Sequence, residues 1–167
     1  MKFKNEVSAG GIVYKREKTQ NVKTSKKNLN VLWLICQHSQ HKGWIFPKGL
    51  IGDKNFNESM KEAALREVEE EGGVKAKIID DRPVKVSYMY QWQNSPHGGK
   101  DGERILVKKT VYYYLMEYVS GDPKNHDWEV SDAKFVSEDE VKKTLTYKAD
   151  KEAFEKILKI FKSHFLQ

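Results

Sequence analysis

The sequence is short of cysteine and of long apolar runs, and each shortage excludes a class of protein. Cys36 is the only cysteine among the 167 residues, so an internal disulfide and a cluster of thiolate metal ligands are both excluded. No run of about 18 apolar residues occurs, so we expect no membrane-spanning helix. The N-terminus lacks the apolar segment of a signal peptide. The simplest expectation is a cytoplasmic protein that has no membrane partner.

Lysine and arginine outnumber the acidic residues by 30 to 24, which gives a formal net charge of +6. Such an excess favours anionic partners such as nucleotides or nucleic acid. A lysine-rich, solvated surface produces the same balance, so charge alone does not choose a function. The length suits one domain, which we expect to span residues 1–167.

Hydrophobic periodicity predicts strands interleaved with two helices. Apolar or alternating segments predict strands over residues 8–14, 31–37, 84–93, 105–118 and 133–136. Polar segments predict a long loop or a mobile hairpin tip over residues 15–30 and a turn-rich loop over residues 94–104. Helices are predicted over residues 58–71, where Gly72-Gly73 ends the helix, and over residues 150–165. Mixed strands with two helices indicate an α/β or α+β layered domain.

Three glutamates of the first predicted helix fall on one of its faces. Glu67, Glu70 and Glu71 are related by i, i+3 and i+4, which brings their Cβ atoms within about 6 Å. Like charges at this spacing, close to a helix C-terminus, destabilise the helix. A divalent cation would offset that repulsion, and carboxylate oxygens suit Mg²⁺. A solvated acidic helix face is the alternative explanation of the cluster by itself.

The spacing around these glutamates matches a known signature. It is a glycine, five residues, a glutamate, seven residues, and then R-E-U-x-E-E-x-G-U with U aliphatic. The fixed positions are filled by Gly52, Glu58, Arg66, Glu67, Val68, Glu70, Glu71, Gly73 and Val74. The chain therefore resembles the Nudix hydrolase superfamily. This resemblance implies an α/β/α sandwich with a mixed sheet and a loop-helix-loop catalytic motif. It also implies Mg²⁺-dependent hydrolysis of a pyrophosphate bond in a nucleoside diphosphate derivative, with Mn²⁺ as the alternative metal.

The resemblance extends beyond the signature. Residues 8–14 (SAGGIVY), 44–49 (WIFPKG) and 109–115 (KTVYYYL) resemble the branch that hydrolyses diadenosine polyphosphates, the bis(5′-nucleosyl)-tetraphosphatases. This implies a dinucleoside polyphosphate substrate such as diadenosine tetraphosphate. Other superfamily members act on oxidised deoxynucleotides, ADP-ribose or 5′-triphosphate RNA, and the signature does not choose between them. A non-catalytic nucleotide- or RNA-binding Nudix module is the alternative from another class, although such modules usually lack a signature carboxylate.

By resemblance, Glu67, Glu70 and Glu71 are the metal ligands, and they belong to the catalytic set with Arg66. We expect Arg66 to hold the glutamates in place through a bidentate bond to a carboxylate. Members of the family often supply a further carboxylate from a loop that precedes a late strand. We assign that ligand or general base to Glu129, with Glu103 and Glu117 as weaker alternatives.

The loop before the helix departs from the usual register. Pro47-Lys48-Gly49 lies three residues earlier than in many relatives, in which the glycine of P-K-G is itself the first glycine of the signature. Here Gly52 fills that position, so the loop carries a short insertion. The family precedent is a metal bond to a backbone carbonyl of this loop, which we assign to Gly49 rather than Gly52. We expect Gly52, Glu58 and Gly73 to be structural.

Basic and aromatic residues outside the signature are the expected substrate contacts. Lys48 and Lys109 are candidate phosphate ligands, together with Lys108. An aromatic platform for the nucleoside is expected from among Trp44, Tyr88, Tyr90, Tyr112 and Tyr114, with core packing as the alternative for each of them. His38 and His41 have H-x-x-H spacing, which we interpret as exposed loop histidines rather than a zinc site. An RNA 5′ end is the second expected partner, DNA is not expected, and the oligomeric state is left open.

Overall fold

The computed structural model describes residues 1–18, 29–94 and 102–165. Within these ranges an eight-stranded mixed sheet carries three α-helices, which confirms the expected α/β fold. In chain order the elements are β1 (Lys2–Lys18), β2 (Leu29–His38), β3 (Trp44–Ile45), β4 (Lys48–Leu50), α1 (Met60–Gly72), β5 (Val74–Ile78), β6 (Val84–Asn94), β7 (Glu103–Gly121), a 3₁₀ turn (Pro123–Asn125), β8 (Val130–Val136), α2 (Glu138–Thr144) and α3 (Lys148–Phe165).

The sheet is organised around the parallel pairing of β1 with β7, which extends from Lys2 opposite Ile105 to Tyr14 opposite Glu117. The strand order is β3-β2-β1-β7-β5, and β8 pairs with β2. The two halves of β7 pair on the same side with β6 and with β5, while β4 pairs with β1. No helix in the described ranges has the length and apolar character needed to cross a bilayer.

The segment predicted as a long loop or hairpin tip, residues 15–30, has strands at both of its ends, so its predicted bounds are wrong. Strand β1 continues to Lys18 and β2 begins at Leu29, and these two residues pair with each other. The polar side chains predicted a loop, but antiparallel backbone hydrogen bonds form whatever the side chains are. The rest of that prediction, residues 19–28, lies outside the described residues.

The other long predicted loop, residues 94–104, shows the same error. Asn94 pairs with Glu103, so β6 and β7 extend further than the sequence pattern indicated. Residues 95–101 lie outside the described residues. The short strands β3, β4 and β5 were not predicted, because two to five residues carry too little periodicity to be recognised.

Two apolar cores lie on opposite faces of the sheet. On one face α2 and α3 cover a cluster whose largest fully buried members are Trp33, Tyr14, Tyr113, Phe46 and Phe154. On the other face α1 covers a smaller cluster that includes Leu34, Val68 and Met116. Helices on both faces of one sheet produce the sandwich that the family resemblance implied.

Helix α1 is fixed at both ends, which sets the position of its glutamates. Ser59 is its N-cap: the Ser59 hydroxyl accepts from the Glu62 N–H, and the Glu62 carboxylate accepts from the Ser59 N–H. At the other end Gly73 has a φ of 71°, and its N–H donates to the Glu69 carbonyl. A side chain at Gly73 would also collide with the Asp122 backbone, so both conformation and space require glycine.

Candidate active site

Arg66 lies at the centre of a network of carboxylates. Its Nε and Nη2 donate to the two carboxylate oxygens of Glu58 at 2.9 and 2.7 Å, which is a bidentate pair. Its Nη1 donates to Glu67 Oε1 at 2.7 Å and to Glu70 Oε2 at 3.2 Å. One guanidinium therefore holds three of the signature glutamates. The sequence predicted that Arg66 makes a bidentate bond to a carboxylate, and the structure shows which glutamate accepts that bond.

Glu58 connects this network to the loop before the helix. It accepts a hydrogen bond from the Gly52 N–H at 2.9 Å, and its side chain is only 4% exposed. The bond from Arg66 holds the pKa of the Glu58 carboxyl below its usual range. Arg66 Nη2 also donates to the Leu50 carbonyl at 3.4 Å. Gly52, Glu58 and Arg66 thus fix the path of the loop over the helix.

Glu67, Glu70, Glu71 and Glu129 line one cavity of about 290 Å³. Glu67 and Glu71 are buried, and burial raises the pKa of both carboxyls, that of Glu71 to about 8. The Lys48 N–H donates to Glu71 Oε2 at 3.0 Å and Lys48 lies nearby, but these contacts only partly offset the burial. The three helix glutamates and Glu129 are therefore brought together at one surface.

The two glycines of the loop have different surroundings. Gly49 lines the acidic cavity, and a Cβ at this residue would overlap the Glu67 carboxylate. Gly52 has a φ of 79°, and a Cβ there would meet only ordinary contacts, the nearest being the Phe56 carbonyl at 3.8 Å. Gly49 therefore lies against the carboxylates, whereas Gly52 forms the turn and bonds to Glu58.

Glu129 reaches the cavity from a loop that is bound to the end of α1. The Asp127 N–H donates to the Glu70 carbonyl at 2.8 Å, and the Glu129 N–H donates to Asp127 Oδ1 at 3.1 Å. The weaker alternatives lie elsewhere: Glu103 pairs with Lys2, and Glu117 pairs with Arg16 and Lys77. Neither of the two lines the acidic cavity.

The donor atoms of this cavity fit a hard divalent cation, although they are engaged with positive side chains. Across the described ranges no three acidic, histidine or cysteine side chains are arranged as a ready ligand set. Arg66 occupies Glu67 and Glu70, and Lys54 pairs with Glu70 at 2.9 Å. Lys54 is more than half exposed, so its replacement by a cation needs only a rotation at the surface. Carboxylate and carbonyl oxygens are the ligands that Mg²⁺ prefers.

A second cavity, of about 700 Å³, adjoins the acidic one and shares lining residues with it. Lys48, Lys109 and Tyr88 line both cavities, and Tyr90 and Tyr147 line the second. Burial and the neighbouring Lys48 lower the pKa of Lys109. Burial opposes the charge of Lys48 as well, but Asp150 and other anionic groups outweigh it, so the pKa of Lys48 is raised. An acidic chamber thus joins a basic and aromatic one.

The other predicted aromatic residues lie outside these cavities. Tyr114 is 3% exposed and belongs to the core under α1. Trp44 is half-buried against the larger core, where the Lys134 ammonium lies 4.7 Å from the centroid of its ring. Neither Trp44 nor Tyr112 lines the acidic or the aromatic cavity, and Lys108 does not either.

Sequence reasoning missed the part of the site that comes from α3 and from the residue just before it. Tyr147 and Asp150 line the second cavity, and Asp150 is a buried carboxylate that accepts from the Tyr113 hydroxyl at 3.2 Å. A signal was present, because Asp150 precedes Phe154 and Ile157 at i+4 and i+7 on the apolar stripe of the helix. An acidic residue on that stripe indicates a buried partner.

His38 and His41 also line both cavities, which their spacing did not predict. Their rings stack with centroids 4.1 Å apart and planes at 8°. The backbone N–H of Gly43 donates to His41 Nδ1 at 3.0 Å, and the Tyr147 hydroxyl lies 2.8 Å from the same atom. In the described residues they do not belong to a three-ligand metal cluster.

Comparisons with known proteins agree on one family. The family model described as NUDIX domain matches residues 6–157. A curated protein of Mycobacterium tuberculosis (strain CDC 1551 / Oshkosh), named as the mutator protein MutT4, is 31% identical over 104 residues. These residues are 62% of this chain and 36% of that protein, so the chain spans about a third of this relative's length.

Solved structures share the fold. Two structures of the Ap4A hydrolase of C. elegans, one of them a binary complex, have TM-scores of 0.57 and 0.61 at 22% and 19% identity. The matches cover 97% and 95% of this chain and 98% and 99% of the other. The NUDIX domain of Shewanella oneidensis NrtR, solved with ADP ribose, has a TM-score of 0.51 at 18% identity. That match covers 96% of this chain and 88% of the other.

Glu71→Gln is expected to make the cation-free protein more stable than the wild type, and this difference in stability should increase as the pH rises. The folded-state pKa of about 8 lies above the ordinary value of 4.5, so between these values the folded chain holds a proton that the unfolded chain has lost. Stability is then lost with rising pH, by at most about 1.4 kcal/mol per pH unit. Glutamine does not titrate, so the advantage of the variant should grow from pH 5 to pH 8. Urea unfolding with EDTA measures this, and parallel pH profiles would contradict it.

Gly49→Ala is expected to disturb the carboxylates, whereas Gly52→Ala is its matched control. The added methyl at residue 49 must displace the Glu67 carboxylate, so Mn²⁺ affinity should fall by about tenfold or more. The methyl at residue 52 strains a positive φ without reaching the cavity, so it should lower stability and leave Mn²⁺ affinity close to that of the wild type. Calorimetric titration with Mn²⁺ measures both. A larger loss of affinity in Gly52→Ala would assign the critical glycine to residue 52.

Proposed function

The chain belongs to the NUDIX domain family, and from that premise we propose that it is a cation-dependent pyrophosphohydrolase of nucleoside diphosphate derivatives. The observation that carries the proposal is the junction of an acidic cavity with a basic, aromatic one. A nucleotide polyphosphate has groups that complement both cavities. Its base can stack on aromatic side chains, and its anionic phosphates bind lysines and divalent cations. We propose that residues 1–167 form the single domain that does this.

Glu67, Glu70 and Glu71 would hold Mg²⁺, or Mn²⁺ in its place, together with the Gly49 carbonyl. The cation, when bound, neutralises phosphate charge and lowers the pKa of a bound water. Nudix hydrolases generally use divalent metals of this kind, and the oxygen donors around the cavity suit them.

The chain's own residues have separate tasks in this proposal. Lys48 and Lys109 contact the phosphates from the junction of the two cavities, where both lie. Arg66 keeps Glu67 and Glu70 directed at the cavity through bonds of 2.7 and 3.2 Å. Glu129, on the loop opposite the helix, accepts the proton of the attacking water.

For the substrate we propose a dinucleoside polyphosphate such as diadenosine tetraphosphate. Tyr88, Tyr90 and Tyr147 line the larger cavity, whose volume of about 700 Å³ lies in the range of pockets that hold small ligands. Two lysines, Lys48 and Lys109, line both cavities, and two cations are better suited to binding a chain of several phosphates than to binding a single diphosphate. Resemblance of the segments 44–49 and 109–115 to the diadenosine-polyphosphate branch supports the same choice.

Glu70→Gln is expected to lower kcat by at least about a hundredfold, because it removes one anionic oxygen that the cation needs. Glu69→Gln is the matched control, since Glu69 is the adjacent residue, is 59% exposed and pairs only weakly with Lys75 at 3.9 Å. Initial rates with saturating Mg²⁺ measure both, and circular dichroism checks the fold. Wild-type turnover by Glu70→Gln would refute the assignment of Glu70 as a metal ligand, whereas absence of turnover in the wild-type protein would favour a non-catalytic nucleotide-binding module.

A substrate panel tests the finer proposal. Diadenosine tetraphosphate, oxidised dGTP, ADP-ribose and a 5′-triphosphorylated oligoribonucleotide are compared at equal Mg²⁺, and the products are identified by chromatography. We expect the highest kcat/KM for diadenosine tetraphosphate, because its phosphate chain spans both lysines. Preferred turnover of ADP-ribose or oxidised dGTP would overturn the dinucleoside assignment while leaving pyrophosphate hydrolysis intact.

A further inference from the structure

Glu6 of β1 lies beside the junction of the two cavities but lines neither of them. Strand register places Glu6 next to Lys109 of β7, and Lys109 next to Tyr88 of β6. Paired residues of neighbouring strands point to the same face of a sheet, so the three side chains form a row across it. The Glu6 carboxylate therefore approaches Lys109 from the side opposite Tyr88, which lines both cavities.

Three neighbouring side chains fix the Glu6 carboxylate. Its Oε1 pairs with the Lys4 ammonium at 3.0 Å. Its Oε2 accepts from the Tyr90 hydroxyl at 3.1 Å and lies 3.9 Å from Lys109 Nζ. Burial raises the pKa of Glu6, but the bonds from Lys4 and Tyr90 and the charge of Lys109 together outweigh it, so the pKa is lowered. Glu6 is therefore an anion that is held in one orientation.

Lys109 needs such an anion in order to remain charged at the junction. Its side chain is only 18% exposed, burial lowers its pKa, and the neighbouring Lys48 lowers it further. Glu6 acts against both effects, followed by Glu71 and Glu67 of α1. In the proposed function the two helix glutamates bind a cation, which leaves Glu6 as the anion that still compensates Lys109.

The distance between Glu6 and Lys109 leaves the lysine available to a ligand. A separation of 3.9 Å is too long for a hydrogen bond, so the attraction is electrostatic. The Tyr90 hydroxyl bonds to the same oxygen, Oε2, and occupies the place of a direct bond from Lys109. A lysine ammonium has three hydrogen-bond donors, which can then serve phosphate oxygens. Glu6 thus stabilises the charge of Lys109 without competing for its donors.

Tyr90 connects this arrangement to the larger cavity. It lines that cavity, and its hydroxyl donates to Glu6. Burial and the bond to Glu6 raise the pKa of Tyr90 to about 12, so its hydroxyl stays protonated as a donor. One carboxylate therefore contacts a residue of the cavity wall and also faces the proposed phosphate contact.

We propose that Glu6 is a positioning residue, which holds Lys109 at the junction of the two cavities and leaves its donors to the phosphates of the substrate. This inference rests on the proposed function, in which Lys109 contacts the phosphates. Glu6 acts through Lys109 and does not itself contact the substrate.

Glu6→Gln removes the charge and keeps an oxygen that can accept from Tyr90. Its KM for diadenosine tetraphosphate should rise about five- to tenfold with kcat within about twofold of the wild type, because a contact made equally in the ground and transition states affects KM alone. Glu117→Gln is the matched control: Glu117 is 18% exposed in the same sheet, pairs with Arg16 and Lys77, and lines neither cavity. The control should keep the wild-type KM.

A double-mutant cycle with Lys109→Met distinguishes positioning from a general effect on the fold. If Glu6 acts through Lys109, adding Glu6→Gln to Lys109→Met should change KM by less than about twofold. Effects of the two substitutions that multiply would overturn the inference. An unchanged KM in Glu6→Gln, or an equal rise of KM in Glu117→Gln, would overturn it as well.

A binding measurement separates this inference from the proposed function. The Kd of a methylene-bridged analogue of diadenosine tetraphosphate is measured by calorimetry with Mg²⁺, which needs no hydrolysis. The Kd values of the wild type, both single variants and the double variant should follow the same pattern as KM. Absence of hydrolysis by the wild type would refute the proposed function and leave the binding cycle decisive for Glu6. Equal Kd values for the wild type and Glu6→Gln would overturn the inference while hydrolysis stands.

Discussion

The positive charge of Arg66 is the constraint on which the active-site half of the molecule depends. Buried carboxylates cost several kcal/mol each when they lack a partner, and Glu58, Glu67 and Glu70 share one guanidinium. Glu71 has no bond from Arg66, and burial keeps its pKa high instead. A cation that binds at Glu71 must therefore displace a proton, and at Glu67 and Glu70 it must compete with Arg66.

The backbone around this network is shaped by the need to bring Arg66, the loop and the sheet into contact. Gly49 passes so close to Glu67 that no side chain fits, and Gly11 lies between Val68 of α1 and Met116 of β7 in the same manner. The helix can approach the sheet only where such side chains are absent. Gly49 lies against the Glu67 carboxylate, whereas Gly52 forms the turn of the loop. The short insertion between the two glycines therefore lengthens the turn and leaves Gly49 in its position against Glu67.

The local parts of this arrangement could be predicted from the sequence, and the long-range parts could not. Spacing within α1 put Glu67, Glu70 and Glu71 on one face, because helical periodicity is a local property. The second cavity combines residues that are about a hundred positions apart, such as His41 and Tyr147. Their meeting depends on the packing of the segment before α3 against β3, where the Trp44 N–H donates to the Thr146 hydroxyl at 2.9 Å, and no local pattern encodes this contact. For the same reason, Tyr88 and Tyr114 were equivalent candidates in sequence, although one lines a cavity and the other the core.

Lys48 shows how the two cavities are coupled. It lies between Glu71 on the acidic side and Asp150 on the aromatic side, and burial opposes its charge. A cation bound at the glutamates would cancel much of the field from Glu71, just when a phosphate arrives that needs a protonated lysine. Asp150 accepts from the Tyr113 hydroxyl and the Phe46 backbone rather than from a group of the acidic cavity. In the proposed function, this acidic residue on the apolar stripe of α3 supports the positive charge of Lys48, although it lies far outside the signature in sequence.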